Sequence, residues 1–406
     1  MSRPVVYLHI GAMKTGTTYL QHRLLTNRDR LAGAGHHFAG ESWSKQVRAA
    51  QDLLGLDQHD PHIAAQSAGA WDALVAEMLA RRTGSSVISM EFLSFARRRQ
   101  VARVARDLVD AEVHVVLTAR DVTAAIPAQW QTSVTSGSTH TWSEFQLDVQ
   151  RSAGPLWAAR ALRGDSGVRE FRRTQNIEHM VRTWGRIVAP ERLHVVLVPA
   201  VRRDDDELWR RFCTAIGADH ALATAPATAT NPSLGHASTE LVRRLNVALT
   251  GTLPWDYNHT VKSPLGTKVL AGRRHDELRA RLDPATVAFA GDWNARTRAA
   301  LVGTGVRVIG DLEVDLPVDG GVAPGPGSSE PTEDDVLAAA EHLHGGLVEL
   351  IARRQRRLAR ATEEPMSELQ AREGSISTMS ASIDDLATLS REAMRLRREL
   401  LDAEDD

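Results

Sequence analysis

Lys14 stands in a short run suited to holding a phosphate: Gly11-Ala12-Met13-Lys14-Thr15-Gly16-Thr17-Thr18. Glycine lets backbone N–H groups come close to a ligand, lysine supplies a point charge, and threonine hydroxyls add donors. Upstream, Val5-Val6-Tyr7-Leu8-His9-Ile10 reads as a strand; downstream, Leu20, Leu24 and Leu25 fall at helical spacing. The order is therefore strand, loop, helix, with the positive end of the helix dipole turned toward the loop.

Two further candidates end strand-like runs. Glu91 follows Val87-Ile88-Ser89-Met90, and Arg120-Asp121 follows Val113-His114-Val115-Val116-Leu117-Thr118. Leu193 to Val198 is another strand, and helical segments of ten or more residues separate these runs. That alternation predicts an α/β fold with a parallel sheet and crossover helices. Ligands of such sheets bind at the carboxyl ends of the strands, where the loop, Glu91 and Arg120 all fall. By position alone Glu91 is a polar cap at a strand end and Arg120 an ion-pair partner at another. His9, inside the first strand, is a candidate base or a hydrogen-bonded core residue.

The spacing G-x-x-K-T-G-T-T differs from the nucleotide triphosphatase pattern, in which lysine follows the second glycine. Lys14-Thr15-Gly16-Thr17-Thr18-Tyr19 resembles the 5′-phosphosulfate loop of the sulfotransferases that use 3′-phosphoadenosine 5′-phosphosulfate (PAPS). The resemblance covers residues 1–318 in layout, but its motifs lie within the first 133. It implies a three-layer P-loop-like sheet flanked by helices, PAPS as co-substrate, and no metal. It also implies that Gly11, Lys14, Thr15, Gly16, Thr17 and Thr18 hold the nucleotide, with Tyr19 packing on the adenine or anchoring its helix. Lys14 would stabilise the transition state, Glu91 would take the acceptor proton, and Arg120 would bind the 3′-phosphate. The pattern departs at Ala128, where the family has serine; Gln129, Gln131, Thr132 or Ser133 are the substitutes at hand. Gly291-Asp292-Trp293-Asn294 is read as a chance likeness to the family's G-D-W-K. The segment from Thr132 to Gln175, with Trp142 and Trp157, is the expected acceptor wall. The acceptor would be a small molecule or carbohydrate.

The 406 residues carry a net charge of −2, which opposes nucleic-acid binding by bulk electrostatics. Arg97-Arg98-Arg99 and Arg353-Arg354-Gln355-Arg356-Arg357 read as solvated helix faces. Cys213 is the one cysteine, so the chain has no internal disulfide and suits a reducing compartment. Without an 18-residue apolar run or a signal-like start, a cytoplasmic protein with no membrane span is expected. Domain boundaries are expected at 1–318 for the catalytic domain, 319–332 for a Gly/Pro/Ser linker, and 333–406 for a helical tail. Within residues 261–281 a helix is expected. The tail carries apolar residues at Leu343, Leu347 and Ile351, then Ile376, Met379, Ile383, Leu386, Ala393 and Leu400 in partial heptads, a pattern open to self-association. Two competing readings remain: a P-loop kinase or nucleotidase, and a degenerate sulfotransferase-like protein acting in assembly.

Overall fold

Near-continuous apolar runs such as Val113–Leu117 and Leu193–Leu197 suit strands covered on both faces, and the protein builds such a sheet. The computed structural model describes residues 3–56, 61–153, 166–200, 204, 206–227, 233–319, 327–362 and 379–405. The strands are β1 (Val5–Gly11), β2 (His36–Phe38), β3 (Ser85–Ser89), β4 (Glu112–Ala119), β5 (Leu193–Leu197), β6 (Arg279–Ala280), β7 (Arg307–Ile309) and β8 (Gly327–Ser328). Six of them form one parallel sheet in the order β2-β3-β1-β4-β5-β7. The protein is thus α/β, with β1 at the centre of the sheet.

The chain divides into two compact units. The first holds Met1–Ala125, Asp148–Asn231 and Pro284–Val322; the second holds Ile126–Leu147, Pro232–Asp283 and Ala323–Asp406. In the first unit, alternation along the strands sends side chains to both faces of the sheet. Val6, Leu8, Ile10, Val115, Leu117 and Val195 join one core with Leu53, Met78, Val104 and Trp184 from the helices over that face. Val87, Val116 and Val196 join the other with Leu20, Leu24, Trp209 and Phe212. Helices therefore flank both faces.

In the second unit the helices Glu333–Thr362 and Met379–Asp405 pack on each other and on His236–Ala248. Leu343, Leu347, Ile351, Leu386 and Ala393 are fully buried there. Gly346 allows a close approach, since a Cβ on it would meet Val269 Cγ1 at 2.6 Å.

The structure bears on five sequence expectations. The tail belongs to the same compact unit as residues 126–147 and 232–283, and its helices pack on His236–Ala248 and Asn258–Val269. The heptad positions Leu386, Ala393 and Leu400 are buried within the chain, while Ile376 lies outside the described residues. Half of the expected linker, residues 320–326, also lies outside them, but Gly327–Ser328 pairs with Arg279–Ala280. The helix expected within 261–281 becomes a π-type segment, Asn258–Val269, then a 3-10 segment and β6; Pro264 sits inside it and lacks the N–H that a regular ladder needs. Arg354, read as part of a solvated face, is buried; it donates to Thr260 Oγ1 (3.1 Å), His259 O (2.8 Å) and Ala393 O. Burial pushes its pKa down to about 10. Among the described residues, no helix is long and apolar enough to cross a membrane.

Candidate functional site

The loop after β1 is shaped by backbone conformations that few residues adopt. Gly11, Lys14 and Gly16 have φ of +79°, +63° and +82°. For a lysine the left-handed region costs roughly 1–2 kcal/mol. From Met13 to Gly16 the sign of φ alternates, the pattern in which successive N–H groups converge on one concavity. Gly16 is the N-cap of the helix Thr17–Thr26 and offers no side chain to cap it. The loop crosses to β4, with Ala12 N donating to Thr118 O at 2.8 Å.

Beneath the loop runs a buried polar chain. His9 Nδ1 lies 2.7 Å from Ser89 Oγ, and His9 Nε2 lies 3.3 Å from Thr118 Oγ1. Thr118 Oγ1 is 2.5 Å from Thr15 Oγ1, which donates to Ala12 O at 2.6 Å. His9, Ser89, Thr118 and Thr15 are fully enclosed. Burial pushes the His9 pKa down to about 3, so the ring stays neutral as a bridge between three strands and the loop. Of the two roles considered for His9, the structure gives it the hydrogen-bonded core position.

Glu91 opens the 3-10 helix Glu91–Phe95 directly after β3, where Met90 N pairs with His9 O at 2.9 Å. Its side chain lies against Gly11: a Cβ on that glycine would stand 2.7 Å from Glu91 Cβ and 3.6 Å from Thr17 Cγ2. Gln21 Nε2 donates to Glu91 Oε2 at 2.7 Å and to Ser89 O at 3.0 Å. The carboxylate is thereby oriented by the first turns of the helix that follows the loop.

Arg120, half-buried at the end of β4, donates from Nη1 to Lys14 O at 3.2 Å. One of its five N–H groups thus supports the strained residue of the loop. Asp121 beside it accepts from Asn294 Nδ2 (2.7 Å) and Thr123 N (2.9 Å). Tyr19 donates to Asp206 Oδ1 at 3.0 Å, next to Arg23 Nη1 at 3.3 Å, which ties the first helix to Glu207–Ile216. Lys14, Thr15, Gly16, Thr17, Glu91 and Arg120 therefore share the carboxyl edge of the sheet, and Thr18 is half-buried beside them.

Ala128, Gln129, Gln131, Thr132 and Ser133 lie in the second unit. There Thr132 Oγ1 donates to Ala128 O (2.9 Å) and Gln131 Nε2 to Leu234 O (2.7 Å). Trp142 is buried in that unit against Trp130 and His236, and its Nε1 donates to Arg281 O, so it serves the core and not an open wall. Trp157 lies outside the described residues.

Gln21, Thr118 and Gln175 are given no role of their own by the sequence, and Asn294 is set aside there as part of a chance likeness. Gln175 donates to Met13 O (3.1 Å) and accepts from Trp293 Nε1 (3.3 Å), so the Trp293-Asn294 segment braces both the loop and the end of β4. Only Thr118 carried a signal, as a hydroxyl closing an apolar strand run. Among the described residues, no group of three or more His, Cys, Asp or Glu side chains could hold a metal ion. No family model, curated protein or solved structure matches the chain.

Proposed function

We propose that the first unit carries a sulfotransferase site that moves a sulfuryl group from PAPS to a hydroxyl or amine of a small-molecule or carbohydrate acceptor, in the cytoplasm. The observation that carries this reading is the Lys14-Thr15-Gly16-Thr17-Thr18 loop, left-handed at Gly11, Lys14 and Gly16, with Glu91 packed on Gly11. PAPS would supply an activated sulfuryl group and a bisphosphate leaving group. The converging loop N–H groups and the uncapped start of Thr17–Thr26 suit its 5′-phosphate. Lys14 meets the charge that develops on the bridging oxygen as its S–O bond breaks. Glu91 takes the acceptor proton as the new S–O bond forms. Arg120 supports Lys14 through its carbonyl and is the cation offered to the 3′-phosphate.

Calorimetry of the full chain with adenosine 3′,5′-bisphosphate, without magnesium, tests the loop. Binding supports the reading; binding of ATP with magnesium alone points to a kinase, and binding of neither points to a degenerate protein. Glu91→Gln should keep bisphosphate binding and melting temperature while turnover falls roughly 10²–10⁴-fold. A folded variant with wild-type turnover would make Glu91 a structural cap.

A further inference from the structure

Arg97-Arg98-Arg99 is joined in the structure by arginines from a second element. The run leaves the 3-10 helix Glu91–Phe95 and opens the helix Arg98–Asp107, whose first turn holds no acid. Packed on the same 3-10 segment is the helix Ser166–Gln175, which brings Arg169 and Arg173. The Arg173 guanidinium stacks on Phe95, 4.0 Å from the ring centroid. Burial first, then the charges of Arg97 and Arg169, hold the Arg173 pKa below its ordinary value, with Glu170 offsetting part of this. Among the described residues, no carboxylate lies within ion-pair distance of Arg97, Arg169 or Arg173. Like charges offset only in part, by Glu170, oppose folding, and an arriving anion reduces that cost.

The cluster is tied to the candidate site at both ends. Glu91 begins the segment that Phe95 ends, and Gln175, two residues beyond Arg173, donates to Met13 O in the loop. A 3-10 helix rises about 2 Å per residue, so Phe95 lies roughly 8 Å along the chain from Glu91.

We propose that Arg97, Arg169 and Arg173 form a subsite for a carboxylate or sulfate group of the acceptor, so that the substrate class is an acidic saccharide or an acidic small molecule of similar size. This rests on the reading of the loop and Glu91 as a transfer site. Guanidinium suits both anions through paired N–H donors, and Phe95 gives the ring beside the anion an apolar plate.

The test is equilibrium binding to the full chain at fixed ionic strength. The probes are p-nitrophenyl β-glucoside, its 6-sulfate and p-nitrophenyl β-glucuronide, with adenosine 3′,5′-bisphosphate measured separately. At least one acidic glycoside should bind about tenfold or more tightly than the neutral one, and which of the two does so identifies the anion. In R97Q/R169Q/R173Q that preference should vanish while bisphosphate affinity and melting temperature hold. R97K/R169K/R173K, which keeps the charge, should retain part of the preference and guards against misfolding as the cause. Equal affinity for all three glycosides, or a preference that survives in the Gln variant, overturns the subsite. Failure of the wild-type chain to bind the bisphosphate overturns the loop reading instead, so the two failures are distinguishable.

Discussion

Around the loop after β1, three positive φ angles, one borne by lysine, and a chain of four enclosed polar side chains set the geometry. In the second unit, two helices of 30 and 27 residues are held by a stripe of leucine, isoleucine and alanine, with the buried Arg354 satisfied by a hydroxyl and two carbonyls. The loop depends on the identity of single residues, because a left-handed backbone or a shared hydroxyl admits few replacements. The helical unit depends on total buried volume, which many side chains can supply. Among the described residues, the non-glycine positive φ angles are at Lys14 and Glu41, both in the first unit, and such strain marks where geometry has been kept at the expense of stability.

The largest effect tests the helical side. Ending the chain at Asp319 removes Leu343, Leu347, Leu350, Ile351, Leu386, Leu396 and Leu400, all buried. At roughly 1.5–3 kcal/mol for each of the seven side chains, their sum of about 10–21 kcal/mol reaches or exceeds the ~5–15 kcal/mol that holds a typical domain. Limited proteolysis should then cut rapidly within 232–283, while bisphosphate binding through the first unit persists. Slow cutting there would show that the tail is dispensable to its own unit.

Next is Lys14→Gly. Glycine relieves the left-handed strain but adds unfolded-state entropy of about 0.5–1 kcal/mol, so the melting temperature should barely move. Turnover with PAPS should fall on the order of 10²–10³-fold, as for a lost transition-state donor. A variant that melts much lower would mean that Lys14 is chiefly structural.

Gly11→Ala and Leu347→Met form a matched pair. The alanine Cβ would stand 2.7 Å from Glu91 Cβ at a φ of +79°, and a loss of ~2–4 kcal/mol in denaturant unfolding is expected. Leu347, also enclosed, should accept methionine at a cost below ~1.5 kcal/mol. Equal costs would erase the contrast between the two regions.

The last test is titrational. His9 is neutral in the fold down to about pH 3, while the unfolded chain protonates it near its ordinary value of 6.5. Between those values the unfolded state binds more protons, so stability falls as pH falls, by roughly 1 kcal/mol per unit from this residue. His9→Gln should be less stable at pH 7, where Ser89 and Thr118 lose a partner, yet show a flatter decline between pH 6 and 4 in thermal melts. Parallel declines would remove His9 as the source.

Much of the first unit was legible because its strands are apolar runs closed by glycine or charge, and a sheet of that kind sends its strand ends to one edge. Lys14 was picked out by its Gly/Lys/Thr run and Glu91 and Arg120 as charged residues at strand ends, while the roles proposed for them come from the resemblance to the sulfotransferase loop. Gln175 and Asn294 were not picked out, because each works through a partner far away in sequence, Met13 and Asp121, and a helix pattern carries no mark of which backbone it will brace. Arg354 was misread for a related reason: a basic run gives no hint that one of its members will meet the carbonyls of residues 259 and 393. The seam expected between copies of the tail was covered from within the chain, by helices whose periodicity gave no sign of their neighbours.

The strand order has a consequence for how the protein is made. β1 leaves the ribosome ahead of both strands that will flank it, since β3 begins at Ser85 and β4 at Glu112, and the sheet's last strand begins only at Arg307. Ile126–Leu147 must likewise wait for Ala323–Asp406 before its unit is complete. The two units are interleaved along the chain, so synthesis cannot finish one before starting the other. β1 and β2 therefore stay unpaired until β3 emerges, and one edge of β5 stays open until β7, exposed to aggregation and to chaperone capture. Slowing translation before Arg307 would prolong that exposure and should lower the soluble yield.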